Sequence, residues 1–186
     1  MALKEIFRTR DEVVRAGNTM KSTYKWLTED LKPNTVAIEI GVNAIDSAMY
    51  LAKFENIATV YIMGHDHNKA KKTTEGTISG RKIINTTPRI NHDDPKALRH
   101  YITHNSGYSW PIILRCDVGG NEEKLFRNLF NGMNENDILS MRKMMFSLYG
   151  TENAMEHILK EKGFNTAYRP INGILSKRTG TLYAWR

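Results

Sequence analysis

The sequence predicts an α/β fold with a mostly parallel central sheet, helices on both faces and an antiparallel strand at the C-terminal edge. Predicted strands alternate with predicted helices through residue 162, as is typical of parallel strands joined by crossover helices. Two further strands follow close together, which predicts the antiparallel edge. A length of 186 residues suits one domain with a sizeable core.

The first elements follow from the hydropathy pattern. Apolar residues recur at helical spacing between residues 10 and 31, and Pro33 prevents the helix from continuing. We therefore expect residues 1–33 to form a helical extension packed on the core, and residues 34–186 to form the domain itself. Within the domain we predict strands over 36–40, 59–63 and 82–84, a helix over 46–54, and a mixture of helix and loop over 66–81.

The later elements follow from apolar runs and from breaks. We predict helices over 95–104, 122–130 and 151–162, and strands over 111–118, 164–168 and 181–185. Asp94 is expected to cap the first of these helices, and Gly163 to end the last. Residues 137–145 fit a strand or a helix, and the strand is favoured because short segments flank this stretch on both sides.

Ligands of such sheets bind where the parallel strands end, which here means after Ile40, Met63 and Asp117. Glu39 near a strand end, followed by Gly41, suits a nucleoside-type cofactor. The carboxylate can accept hydrogen bonds, and a glycine lets the backbone approach a ligand closely. The alternative is an ordinary corner between a strand and a helix, because one glycine is a weak signal.

Two more acidic residues belong to this pattern. An acidic residue after the second strand commonly holds ribose hydroxyls, and Asp66 is the nearest one. Asp117 closes the apolar strand and faces the turn Gly119-Gly120, where it could orient or deprotonate a substrate hydroxyl. The alternatives are a solvated turn for Asp66 and a helix cap for Asp117.

These segments together resemble the class I S-adenosylmethionine-dependent methyltransferases, in particular the FkbM-like branch. The acidic-x-Gly-x-Asn motif of that family stands here as Glu39 to Asn43. The Asp-Val-Glu-Gly-x-Glu motif appears as Asp117 to Glu122, and the chain ends on Leu182 to Arg186 after a Gly-Phe pair, as in the family. The resemblance covers roughly residues 34–186.

The resemblance implies a Rossmann-like methyltransferase fold with S-adenosylmethionine as cofactor, and O-methyl transfer to a hydroxyl of a sugar-containing or other anionic acceptor. It assigns a catalytic role to Asp117 and substrate binding to Asn121 and Glu122. The residues it assigns to the cofactor are Glu39, Gly41, Val42, Asn43, His65 and Asp66. The motifs are degenerate, since Ile45, Gly64 and Gly119 replace a glycine, an acidic residue and a glutamate of the family pattern.

Two alternatives from other classes remain at the level of sequence. The lost motif residues favour a methyltransferase fold that binds a ligand without catalysis, because a fold does not fix a function. The cluster His65, Asp66 and His67, or the helical pair His100 and His104, could instead supply ligands to a metal-dependent hydrolase. None of these histidines completes a known metal-site signature, so we predict no metal.

Composition limits the remaining choices. The formal net charge of +7 favours an anionic partner, but the positive residues are dispersed, so nucleic acid is less favoured than a small carbohydrate-containing acceptor. The single cysteine, Cys116, excludes an intramolecular disulfide framework and is expected to be buried. No apolar stretch approaches a membrane span, and no signal-peptide core is apparent, which together predict a cytoplasmic protein.

Overall fold

A single mixed sheet organises the chain. The computed structural model describes residues 24–41, 44–64, 75–78, 81–87, 90–170 and 179–186. The described strands are β1 (Thr35–Gly41), β2 (Ile57–Gly64), β3 (Glu75–Ile78), β4 (Arg81–Thr87), β5 (Ile112–Asp117), β6 (Met141–Tyr149), β7 (Asn165–Pro170) and β8 (Thr179–Trp185). The described helices are α1 (24–28), α2 (Ala44–Leu51), α3 (Lys96–Ser106), α4 (Glu122–Phe130), α5 (Glu135–Ser140) and α6 (Glu152–Glu161).

The strand order is β3-β4-β2-β1-β5-β6-β8-β7. The five strands from β4 to β6 in this order run parallel to one another. At the C-terminal edge, β8 pairs antiparallel with both β6 and β7. The predicted fold class, a mostly parallel sheet with an antiparallel C-terminal edge, is therefore confirmed.

Alternate residues of the central strands supply two apolar cores, one on each face of the sheet. Val36, Ile38 and Ile40 face the larger core, which includes residues of α3, α4 and α6. Ala37 and Ile113 face the smaller core, which contains α1 and α2 residues. This two-sided burial explains why β1 is buried along its whole length.

The described end of the N-terminal extension packs on the smaller core. Tyr24 and Leu27 of α1 are both almost fully buried there. Lys143 of β6 donates hydrogen bonds to the backbone oxygens of Trp26 and Glu29, at 3.0 and 2.6 Å. A cation near the C-terminal end of a helix satisfies carbonyl groups that the helix itself leaves free. The predicted helix over residues 10–23 lies outside the described residues.

Three local predictions are wrong. Residues 137–140 belong to helix α5, and the strand begins only at Met141. Strand β3 lies inside the segment 66–81, where helix and loop were predicted, and it pairs antiparallel with β4. Asp94 does not cap α3, because Pro95 takes that position without a side-chain hydrogen bond, while Asp94 pairs with Lys96 at 2.8 Å.

Within the described parts of the chain, no helix combines the length and the apolar character that a membrane span requires.

Candidate functional site

The structure brings together the strand ends that the sequence singled out. Strand β1 lies between β2 and β5, so their carboxyl ends meet at one edge of the sheet. Gly41 stands opposite Gly64 on one side and opposite Asp117 on the other. Two residues earlier, Glu39 stands opposite Arg115. A candidate site that combines β1 and β5 is therefore consistent with the fold.

Gly41 has a backbone reason to be glycine. Its φ is +104°, and a Cβ atom built on it would lie 1.7 Å from the backbone oxygen of Asp117. Any side chain there would collide with a neighbouring strand and also adopt a backbone conformation that other residues rarely adopt. Position 41 therefore requires glycine because β1 and β5 lie so close together there.

Glu39 carries a fully buried carboxyl group, and only one of its two oxygens has a hydrogen-bond partner among the described residues. Its Oε2 accepts a hydrogen bond from the Tyr24 hydroxyl at 3.0 Å and lies 3.7 Å from the Arg115 guanidinium. Its Oε1 is buried and has no hydrogen-bond partner among the described residues. Since buried polar atoms are nearly always paired, this oxygen is a candidate acceptor for a hydrogen bond from a ligand.

Burial dominates the acidity of Glu39. Desolvation raises its pKa to about 8, although Arg115 and the hydroxyls of Tyr24 and Ser47 lower the pKa in the opposite direction. The neighbouring Tyr24 has its pKa raised, first by burial and then by the charge of Glu39. Burial thus shifts the Glu39 carboxyl toward its neutral, protonated form.

Arg115 connects Glu39 to the predicted catalytic residue. Its guanidinium donates to Asp117 Oδ2 at 3.0 Å while facing Glu39 on its other side. The Asp117 side chain is 14% exposed, so it is accessible at the strand end. Tyr149 completes the row, with its hydroxyl 3.5 Å from Asp117 Oδ1. These contacts form a polar row that runs from α1 through β1 and β5 to the end of β6.

The sequence reasoning missed three members of this row: Tyr24, Arg115 and Tyr149. Arg115 carried a usable signal, because a lone arginine in a buried apolar strand requires an acidic partner. Glu39 occupies the corresponding position of a predicted neighbouring strand. Tyr24 lies in the segment 10–31, where the apolar spacing predicted only a helix, and its hydroxyl contact depends on how that helix packs on the sheet.

The turn after β5 is held together by Glu122. Its Oε1 accepts a hydrogen bond from the Val118 amide at 3.0 Å, and its side chain is buried. Desolvation raises the Glu122 pKa. Gly119 and Gly120 both have positive φ, and open space lies where their side chains would be. Glu122 thus holds the backbone of this turn through a buried hydrogen bond. The two glycines leave space beside the turn that a ligand could occupy.

Asn121 occupies the N-cap position of α4, and its side chain makes no cap hydrogen bond. Its amide is thereby left available at the same turn. Four other residues assigned to the cofactor, Val42, Asn43, His65 and Asp66, lie outside the described residues.

The described part of the chain contains no cluster of three or more His, Cys, Asp or Glu residues that could hold a metal ion. His100 and His104 lie on the exposed surface of α3 and stack on each other with ring centroids 6.2 Å apart. His65 and His67 lie outside the described residues. Cys116 is buried as predicted, and burial raises the pKa of its thiol.

A groove of about 500 Å³ lies at the other end of the parallel strands, near the residues where β5 and β6 begin. It is lined mainly by hydroxyl and amide side chains near the starts of β5 and β6, together with Trp110, Asp137 and Arg142. Asp137 already accepts hydrogen bonds from Thr103 and Ser106, which join α5 to α3. This groove is therefore separate from the site at the carboxyl ends of β1 and β5.

Comparison with known proteins identifies the fold but not a family. No protein-family model matches the sequence, and no curated protein matches it significantly. Among solved structures, the release-factor-specific protein-(glutamine-N5) methyltransferase of Alicyclobacillus acidocaldarius has a TM-score of 0.50 at 10% identity. The alignment covers 97% of this chain and 99% of that one.

The methyltransferase domain of bacterial-CtHen1-CN also aligns, with a TM-score of 0.50 at 9% identity over 94% of this chain and 100% of that one. At such identities the likeness concerns the fold alone. The chain has a Rossmann-like methyltransferase fold.

Proposed function

We propose that this protein is an S-adenosylmethionine-dependent methyltransferase that transfers a methyl group to a hydroxyl of a sugar-containing or other anionic acceptor. The observation that carries the proposal is that Arg115 contacts both Glu39 of β1 and Asp117 of β5. In a methyltransferase fold, a buried carboxyl with one free oxygen lies beside an accessible carboxylate, and Arg115 bridges the two.

One observation that is independent of the resemblance supports a cofactor site among the described residues. The buried Glu39 Oε1 has no hydrogen-bond partner there. A polar group of the cofactor would satisfy that oxygen, which otherwise stays buried at a cost of about 1–3 kcal/mol. Gly41, which has no side chain, would let the end of β1 lie close to β5 beside the cofactor. On the resemblance alone, Val42, Asn43, His65 and Asp66 would complete the cofactor site.

S-adenosylmethionine supplies a methyl group already activated on a sulfonium. The protein then has mainly to orient the acceptor, and orientation provides a large part of catalysis in such reactions. Asp117 can accept the proton of an acceptor hydroxyl at the end of β5. Arg115 and Tyr149 contact its two oxygens and so fix the direction of the carboxylate.

The acceptor class follows from charge and from the turn. The net charge of +7 attracts an anionic molecule, and the open outer side of Gly119 and Gly120 leaves room for it. The free amide of Asn121 can hydrogen-bond a hydroxyl or phosphate oxygen there. Asn121 is therefore our proposed acceptor contact, while Glu122 supports it through the turn.

The first test is calorimetric titration of the purified protein with S-adenosylmethionine. Saturable one-to-one binding is expected, and no binding at millimolar cofactor would refute the proposal. In wild type, transfer of a labelled methyl group to sugar phosphates is expected to exceed transfer to uncharged sugars or RNA. Asp117→Asn should keep cofactor binding and reduce transfer by about 10²–10⁴-fold, the range of general-base catalysis.

A second candidate function is a non-catalytic binding protein with the same fold. Gly119 favours it, because no side chain stands where the related motif has a glutamate. Cofactor binding without transfer to any acceptor of the panel would support this second function instead.

A further inference from the structure

The groove between α3 and α5 takes no part in the proposed methyl transfer. Its volume of about 500 Å³ lies within the range of cavities that hold small molecules. It is found where β5 begins, whereas Asp117 ends that strand. A strand rises about 3.3 Å per residue, so Ile112 and Asp117 are about 16 Å apart. A small ligand in the groove is therefore a separate ligand from the methyl acceptor.

The floor of the groove, formed by Thr103, Ser106 and Asp137, presents hydroxyl oxygens that can only accept. Thr103 and Ser106 donate hydrogen bonds to the two carboxylate oxygens of Asp137, at 2.8 and 2.5 Å. A hydroxyl group has a single proton, so each of these oxygens keeps only lone pairs for a ligand. A ligand that contacts this floor must therefore carry hydrogen-bond donors.

The rim on the α5 side offers donors next to these acceptors. Oδ1 of Asn134 accepts the Asp137 amide at 2.9 Å, which orients the side chain so that its NH₂ group can donate. The exposed side chains of Asn136 and Arg142 line the same groove and add further N–H groups. A sugar hydroxyl both donates and accepts, and so it matches the floor and the rim. A phosphate oxygen accepts only, and so it matches the rim alone.

Aromatic rings border the groove on the α3 side. Trp110 lines it, and Tyr108 packs on Trp110 with ring centroids 5.3 Å apart and planes inclined by 32°. The Tyr108 side chain is 59% exposed, although such a large ring is mostly buried elsewhere in this protein. The C–H groups on the face of a sugar ring are apolar and slightly positive, so they pack well on the negative face of an aromatic ring.

A tight turn fixes these rings before any ligand binds. Ser109 has a φ of +57°, a left-handed conformation that serine rarely adopts. Its amide donates to the Ser106 oxygen at 2.8 Å, and the Trp110 amide donates to the Asn105 oxygen at 3.3 Å. Residues in such conformations are frequent at ligand sites, where the surrounding structure holds them. A fixed turn also reduces the entropy that binding costs.

We propose that this groove is a carbohydrate-binding site for a short, uncharged sugar chain. One sugar ring packs on Tyr108 and Trp110, and its hydroxyls donate to the floor and accept from the rim. The inference does not depend on the proposed function. The bases of single-stranded RNA can also stack on aromatic rings, but RNA binding relies on several cations that neutralise phosphates. Arg142 is the single basic residue among those that line the groove, so sugar is the better match.

The experiment is titration of the full chain, followed by heteronuclear NMR, with uncharged trisaccharides of glucose, mannose and N-acetylglucosamine. A uridine hexanucleotide is titrated in parallel. We expect saturable binding of at least one trisaccharide with a Kd below about 10 mM. The shift changes should include the Trp110 indole N–H and the amides of residues 106–110 and 134–137.

Three results would overturn the inference. The first is the absence of binding by every trisaccharide at about 10 mM, a concentration that reveals even weak complexes. The second is binding of the hexanucleotide alone. The third is trisaccharide binding with shift changes confined to the turn at Gly119 and Gly120, which would place the sugar at the proposed acceptor site instead.

Variants separate the ring contact from the polar contacts. Tyr108→Ala should weaken trisaccharide binding about tenfold, whereas Tyr108→Phe keeps the ring face and should bind nearly as well as wild type. Asn136→Ala should weaken binding several-fold through loss of a hydrogen bond. The matched control is Asn165→Ala, which removes an exposed amide on β7 and should leave the affinity unchanged.

A Tyr108→Ala affinity equal to that of wild type would show that the sugar does not lie on this ring, and the inference would be wrong. Circular dichroism and thermal unfolding of each variant separate these effects from misfolding. The exposed positions of Tyr108 and Asn136 make both variants suitable for this comparison.

Discussion

Single atoms decide whether β1 and β5 can approach each other at the candidate site. The Cβ of an alanine at position 41 would lie 1.7 Å from the Asp117 backbone oxygen, and φ at this residue is +104°. We expect Gly41→Ala to lower the free energy of unfolding by about 2–5 kcal/mol, the sum of overpacking and left-handed strain. Urea unfolding followed by circular dichroism measures this change.

Gly150→Ala is the matched control for that substitution. Gly150 also has a positive φ, +88°, but open space surrounds the position of its missing side chain. Only the conformational strain of about 1–2 kcal/mol should remain. Equal losses in the two variants would show that the backbone conformation, and not the contact with Asp117, requires glycine at position 41.

Among the elements, the short helix α5 depends on one buried carboxylate. Asp137 accepts hydrogen bonds from Thr103 at 2.8 Å and Ser106 at 2.5 Å, and these contacts join α5 to α3. Asp137→Ala should therefore lower the free energy of unfolding by about 2–4 kcal/mol, because two charge-assisted hydrogen bonds are lost. The control is Asp93→Ala, which removes an exposed ion pair with Lys124. This variant should lower the free energy of unfolding by less than about 1 kcal/mol. Similar losses at both positions in urea unfolding would contradict this role of Asp137.

The same helix shows where prediction from sequence failed. The order and type of the main parallel strands and their helices followed from apolar runs separated by glycine and proline. Residues 137–140 did not, because their helix is fixed by a local cap and by distant contacts. The Asn134 side chain accepts a hydrogen bond from the Asp137 amide, and an asparagine is a common N-cap residue. Strand β3 is four residues long and depends on pairing with β4, which no local pattern encodes.

The part of the candidate site that lies at the carboxyl ends of the parallel strands could be predicted from the sequence. Glu39, Gly41 and Asp117 were identified because the carboxyl ends of parallel strands meet at one edge. Tyr24 was not, because its contact spans 15 residues and depends on how α1 packs on the sheet. Long-range polar contacts of this kind depend on three-dimensional packing, so only the arginine in an apolar strand gave a usable sequence signal.

The stability of the whole molecule should depend on pH through Glu39. Burial raises its pKa from 4.5 to about 8 in the folded protein, and the unfolded chain has no such burial. The folded state therefore holds the proton more tightly, so this contribution to stability is complete below about pH 4.5 and is lost as the pH rises toward 8. The expected slope for one proton reaches about 1.4 kcal/mol per pH unit between these limits.

Urea unfolding at several pH values between 4.5 and 8.5 tests this dependence on wild type and Glu39→Gln together. The neutral amide cannot ionise, so the variant should gain stability relative to wild type as the pH rises. Glu123→Gln makes the same chemical change at an exposed carboxylate paired with Arg127, and its difference from wild type should stay nearly constant. A stability difference between wild type and Glu39→Gln that is independent of pH would mean that Glu39 is ionised in the folded protein.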